Sequence, residues 1–281
     1  MRLLKPFVFI FLLILQISCG INNTKINNLE EDTSSNNQTN SNFDIIVYTK
    51  YEIPLNIDLY NFLYTNNLNF AVNTLNSIST KNNYISDVSK AINLGIYTSD
   101  LTYCTIYSES QNSLNYFDAG RHLARELGFS EGFNEIYYSR LEKNAENKDS
   151  LMRIAEESYW KACNYLEEQN KNNILPFIIY GGWIEALHIL VNIEKDSENK
   201  ELIKKQILNQ KTAISNVIKY LYDVMIESTA YYYNTDIDII IKELKIIEKL
   251  YNDYETNKSP KVYEKLKSKI LEIRKNKIEM L

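Results

Sequence analysis

Across the eighteen positions from Ala91 to Ser108 the chain carries one charge, Asp100. At about 100° per residue, Ala91, Gly95, Ser99, Thr102 and Ile106 line up as a narrow stripe of mostly small side chains, while Leu94, Ile96, Leu101, Tyr103 and Tyr107 make the opposite side apolar or aromatic. A helix with no solvated face has to be covered all round, and a small-residue stripe lets a second backbone come close. The run predicts a central helix wrapped by others. Asp100 is the anomaly in it. A carboxylate at that depth needs hydrogen-bond partners, such as a tyrosine or Arg121 or Arg125 from the next helix, or else it lines a polar pocket.

Ile174 to Val191 is the second strongly apolar segment, interrupted by Gly181, Gly182, Glu185 and His188. Its length would just span a bilayer, but Pro176, the paired glycines and a central glutamate argue for a buried core helix instead. A glycine inside a helix costs about 1 kcal/mol relative to alanine, so packing has to compensate at both positions. Gly181 and Gly182 are therefore expected to face Gly95, where the two central helices would cross closely. On the same wheel Gly181, Glu185, His188 and Asn192 form a thin polar stripe. Three uses are open for it: exposure to solvent or a polar loop, hydrogen bonding of Glu185 and His188 to buried tyrosines, or a ligand or metal pocket.

Only 7 glycines and 4 prolines occur in 281 residues, too few turn formers for an all-β or Rossmann-like fold. The expected fold class is all-α, a single multi-helix bundle of about ten helices around two buried central ones. The periodicity predicts helices over Leu55–Tyr64, Leu68–Ser77, Ile85–Ser108, Asn112–Leu127, Phe133–Asn144, Ser150–Gln169, Ile174–Ile193, Lys200–Ala230, Asp236–Tyr254 and Lys261–Lys277. Gly128 reads as a helix stop, and Ser259 before Pro260 as the cap of the last helix. No composition break divides 43–281, which is read as one helical domain.

Ahead of that domain, Arg2 and Lys5 precede an apolar run from Pro6 to Leu15, and Gln16-Ile17-Ser18 leads to Cys19. Residues 1–18 have the charged, apolar and small-residue regions of a secretory signal, too short to span a membrane comfortably. A cysteine directly after them resembles a bacterial lipoprotein signal, which implies that Cys19 carries the lipid. Gln16 stands where that signal usually has leucine. Residues 19–42, rich in Asn, Ser and Thr, cannot bury enough apolar surface to offset their ordering entropy and are read as a flexible linker. Ile45 to Tyr48 is a short β-prone run, expected to lie as extended chain against the domain. The formal charge of −5 gives no reason to expect a nucleic-acid partner.

Catalytic chemistry is thinly represented. Glu185-x-x-His188 has the spacing used in carboxylate-bridged metal bundles, but such a site needs a second copy, and the other histidine, His122, shares a polar helix face with Asp118. No metal site or cofactor is expected. Cys104 and Cys163 could pair in an oxidising compartment or remain two buried thiols. There is no Gly-rich phosphate loop, Cys-x-x-Cys or nucleophile elbow.

The runs Asn93-Leu94-Gly95-Ile96-Tyr97, Asp100-Leu101-Thr102-Tyr103, Gln111 to Phe117, Leu123 to Gly128 and Gly181-Gly182-Trp183-Ile184-Glu185-Ala186-Leu187 occur in that order. Together they resemble a family of uncharacterised lipoproteins of Bacteroidetes, which share a Leu-Gly-x-Tyr-x-x-Asp-Leu-x-Tyr stretch and a Gly-Gly-Trp helix. The resemblance spans Pro54 to Leu190. It implies a lipid anchor and a helical domain and supplies no activity. The expectation is a lipid-anchored protein of the bacterial cell envelope, on the outer membrane and facing the periplasm or the surface. Its membrane contact would be the lipid on Cys19, and its role that of a non-enzymatic structural or protein-interaction module with an envelope protein as partner. The competing expectation is a helical-bundle binder of a small molecule, with Asp100, Glu185 and His188 near the pocket.

Overall fold

In the computed structural model, residues 56–169, 173–227 and 233–279 are described, and their regular structure is entirely helical. Ten α-helices follow one another there: α1 (Asn56–Thr65), α2 (Asp87–Ile106), α3 (Ser110–Glu126), α4 (Glu135–Lys143), α5 (Lys148–Glu168), α6 (Leu175–Asp196), α7 (Lys200–Asn209), α8 (Lys211–Glu227), α9 (Asn234–Asn257) and α10 (Pro260–Ile278). The signal segment 1–18, the linker 19–42 with Cys19, and the β-prone run 45–48 lie outside the described residues.

The two apolar runs become α2 and α6, and they pack on each other at the centre. Helix α2 begins at Ser86, whose hydroxyl accepts the Ser89 N–H at 3.0 Å. It ends where Ser108, at φ 61°, turns the chain so that the Glu109 N–H returns to the Cys104 carbonyl. Helix α6 has Pro176 in its first turn, where the missing N–H costs nothing. It is long and apolar enough to cross a membrane, yet 89% of its most apolar stretch is buried inside the bundle. Burial against other helices is what its composition serves.

Glycines set the distance between these two helices. A Cβ placed on Gly95 would stand 2.0 Å from the Ile178 carbonyl oxygen, and one on Gly181 would stand 2.0 Å from that of Ile92. Each helix thus rests its backbone on the other's glycine. Gly182 is less confined: its Cβ would meet the Asn56 side-chain amide at 3.2 Å and the Gly95 oxygen at 3.4 Å.

Two expected helices take a different form. Over Leu68–Ser77 the chain makes one 3-10 turn, Val72–Thr74, in place of an α-helix, and a second follows it at Ile78–Thr80. Its backbone donors are committed elsewhere: the Ala71 N–H goes to the Tyr103 hydroxyl at 3.1 Å and the Asn76 N–H to Asp100 Oδ2 at 3.0 Å. Thr74 and Thr80 also bond their hydroxyls to carbonyls three residues back, a local alternative to the helical ladder. The run from Lys200 divides at Gln210 into α7 and α8. The Ile207 carbonyl at the break accepts the Tyr251 hydroxyl at 2.8 Å and the Gln210 N–H at 3.2 Å.

Gly128 closes α3 at φ 77°, and the Phe129 N–H reaches back to the Ala124 carbonyl at 3.0 Å, the wide bond of a Schellman end. Ser259 holds the cap position of α10 without a side-chain cap bond, and Pro260 supplies the preset first turn. Helix α10 packs on α9, α6 and α2. That placement carries the C-terminal end of the chain to the central pair.

Candidate functional site

The two carboxylates of the central helices lie close to one cation from the last helix. Asp100 on α2 and Glu185 on α6 are both 0% exposed. From α10, Arg274 donates through Nε to Glu185 Oε2 at 2.7 Å and through Nη2 to Oε1 at 2.9 Å. This is the two-point fork in which guanidinium and carboxylate match best. Asp100 accepts the Asn76 N–H on Oδ2, while its Oδ1 has no partner among the described residues. Burial first, and then the facing charge of Glu185, pushes the Asp100 carboxyl well above the usual carboxylate range, with Arg274 opposing. The arrangement is one ion pair with a second carboxyl beside it, whose ionisation is opposed by burial and by Glu185.

Arg121 and Arg125 do not reach Asp100. Arg121 pairs with Asp118 at 2.7 Å and Glu135 at 2.8 Å, and Arg125 lies 3.3 Å from His122 Nδ1. His188 also has another partner than a tyrosine: its Nε2 is 3.1 Å from the Thr74 carbonyl, so that nitrogen carries the proton. Burial lowers the His188 pKa, which keeps the ring neutral. Asn192 stacks its amide on the same turn, bonding the His188 carbonyl at 2.9 Å. Glu185 is bonded by Arg274, so the polar stripe of α6 faces neither solvent nor tyrosines at that position.

Tyrosines enclose the cluster. Tyr116 donates to the Asn76 carbonyl at 2.8 Å and Tyr97 to that of Ser77 at 2.9 Å, holding the turn segment down on α2. Tyr60 and Ser99 share a 2.6 Å bond, and Asn56 bridges Ser99 at 3.0 Å and the Gly182 carbonyl at 2.8 Å. The sequence signal for Arg274 lies in α10, where Tyr263, Leu266, Ile270 and Ile273 mark the buried face and Arg274 and Lys277 fall on it. Lys277 is met there by Glu243 at 2.8 Å, and its carbonyl accepts the Asn93 amide at 3.1 Å. Cys104 and Cys163 are buried and not disulfide-bonded.

The raised carboxyl of Asp100 links folding to pH. The unfolded chain ionises this carboxyl above about pH 4 while the folded chain resists its ionisation to higher pH, so in that window unfolding releases a proton and stability falls as pH rises toward the folded value. Asp100→Asn keeps the acceptor for the Asn76 N–H and removes the titration. Its stability at pH 8 is expected to exceed wild type by on the order of 1 kcal/mol, with a flatter profile between pH 5 and 8 in urea unfolding. A less stable Asp100→Asn protein at pH 8 would mean that the carboxylate is charged in the fold.

On the opposite side of α2 from Asp100, a cleft of about 100 Å³ lies between α1, α2, α5 and α6. Asp100, Glu185 and His188 are absent from its lining. The ionisable cluster and the accessible space are therefore separate features. Compared with models of protein families, with curated proteins and with solved structures, the chain matches none.

Proposed function

We propose that the chain is a lipid-anchored protein of the bacterial cell envelope whose helical domain is a non-enzymatic structural or protein-interaction module. The observation that carries the second half is the sealed Glu185–Arg274 fork with Asp100 beside it. Glu185 and Arg274 are spent on each other and tie α6 to α10, with Asp100 of α2 buried beside them, where a catalytic acid or base would need to reach substrate. The anchor rests on the charged, apolar and small-residue order of residues 1–18 and on Cys19 directly after them. With it come the outer membrane as the site of attachment, an envelope protein as partner, and membership in the Bacteroidetes lipoprotein family that the Leu94–Tyr103 and Gly181–Leu187 runs resemble.

Cells making the chain with labelled fatty acid are expected to transfer label to it and to release it into the detergent phase on partition. Cys19→Ser is expected to lose the label and move to the aqueous phase. An exported, Cys19-intact chain that takes up no label would overturn the anchor.

A further inference from the structure

We propose that the cleft between α1, α2, α5 and α6 is the docking site of this chain's own run 45–48, Ile-Ile-Val-Tyr, from the segment that leads into α1. The point where that segment enters the fold is fixed. Asn56 and Ile57, the first two residues of α1, both line the cleft, and the Asn56 amide donates to Ser99 Oγ of α2 at 3.0 Å and to the Gly182 carbonyl of α6 at 2.8 Å. Fifty-five residues precede this point, and past the signal segment their longest apolar run is Ile45-Ile46-Val47-Tyr48. Residues 49–55 join the run to Asn56 and reach at most roughly 30 Å. So short a tether holds it beside the cleft at an effective concentration on the order of millimolar, which no free ligand has to be supplied to match.

The cleft fits an aliphatic side chain in both chemistry and size. Ile57, Leu101, Phe133, Met152 and Ile178 supply apolar wall, and Thr98 and Thr102 spend their hydroxyls on the Gly95 and Thr98 carbonyls and so present mainly methyl groups. An enclosed apolar cavity of about 150 Å³ takes up benzene, so a cleft of about 100 Å³ seats one isoleucine- or valine-sized group. Side chains alternate along an extended chain, and either face of the run offers such a group, Ile45 and Val47 on one and Ile46 on the other. Among the described lining residues the only charge is Glu156, which is exposed. Lys50, the only cation between Lys25 and Lys81, follows the run by two residues and complements it. Docked there, the run closes the cleft to free small molecules. Acylation of Cys19 plays no part in this contact.

Of the four methionines, Met1, Met152, Met225 and Met280, Met152 lines the cleft, and Met152→Leu assigns its ¹³C-methyl resonance. The full chain carrying Cys19→Ser is the parent protein, so that no acyl chain or detergent enters the titration. In it the Met152 methyl is expected to show nuclear Overhauser contacts to methyls of Ile45, Ile46 or Val47, assigned by single Ile→Val and Val→Ile exchanges. Ile45→Asp with Ile46→Asp and Val47→Asp charges both faces of the run and alters no residue of the helices. It is expected to abolish these contacts and to let toluene shift the Met152 resonance saturably, binding about tenfold or more tightly than to the parent. Absence of the contacts in the parent overturns the proposal without any variant. Equal toluene affinity in the two proteins also overturns it: the cleft is open to a free apolar molecule when both bind, and is not held by this run when neither does. Contacts that fade on dilution of the parent would assign the run to a second copy and overturn docking within one chain.

Discussion

Replacing Arg274 by leucine is expected to lower the free energy of unfolding by about 3–5 kcal/mol, the cost of leaving a buried charge without its partner. Glu185 is fully buried, and both its oxygens take their bonds from that one guanidinium. Without it, a fully buried carboxyl is left beside Asp100, and no other cation is bonded to it among the described residues. For a domain of this size the loss corresponds to a fall in Tm of roughly 10 °C. Substituting both partners, Glu185→Met with Arg274→Met, is expected to recover much of the loss, since the desolvation of the pair disappears with its attraction. A single Arg274→Leu change costing under about 1 kcal/mol would show that the fork contributes little to the fold.

Gly95→Ala and Gly181→Ala are each expected to cost at least about 3 kcal/mol, the upper end for overpacking. One methyl is added in each case, and it would stand 2.0 Å from a backbone oxygen of the facing helix. A flexible side chain could step aside, but Ile178 and Ile92 present main chain, so α2 and α6 have to separate. The gain of about 1 kcal/mol from removing glycine from a helix offsets only part of this. Gly182→Ala is the internal control: its neighbour at 3.2 Å is the Asn56 amide, which can move, and its cost is expected within about 1 kcal/mol of zero. Chemical denaturation of the three variants checks the order. Equal stabilities for Gly95→Ala, Gly181→Ala and Gly182→Ala would mean that the helices cross elsewhere.

Much of this architecture was legible where the cause is local. The charge-poor run around Asp100 and the apolar run around Gly181 mark buried helices by composition alone, and Gly128 marks the end of α3 because its φ of 77° suits glycine. The segment 68–77 reads as a helix because its apolar spacing is helical, while two of its amide donors are claimed by Asp100 and Tyr103, which are far off in sequence. The break at Gln210 has the same origin, a carbonyl engaged by Tyr251 on a later helix. Arg274 does not stand out in the sequence because α10 is rich in lysine, and a cation on its apolar face shows only when Leu266, Ile270 and Ile273 are taken as the core positions. The cleft has no sequence signature at all. Its lining comes from several helices.

The separation between the sealed charged cluster and the accessible cleft is tested most directly by native mass spectrometry of the chain isolated gently from the cells that make it, beside Asp100→Asn prepared in the same way. The masses of the folded wild type and the variant are expected to carry the same non-covalent adducts, if they carry any, because Asp100 serves the fold. A molecule bound to the wild type and missing from a folded Asp100→Asn protein would contradict this and make the cluster itself the binding site.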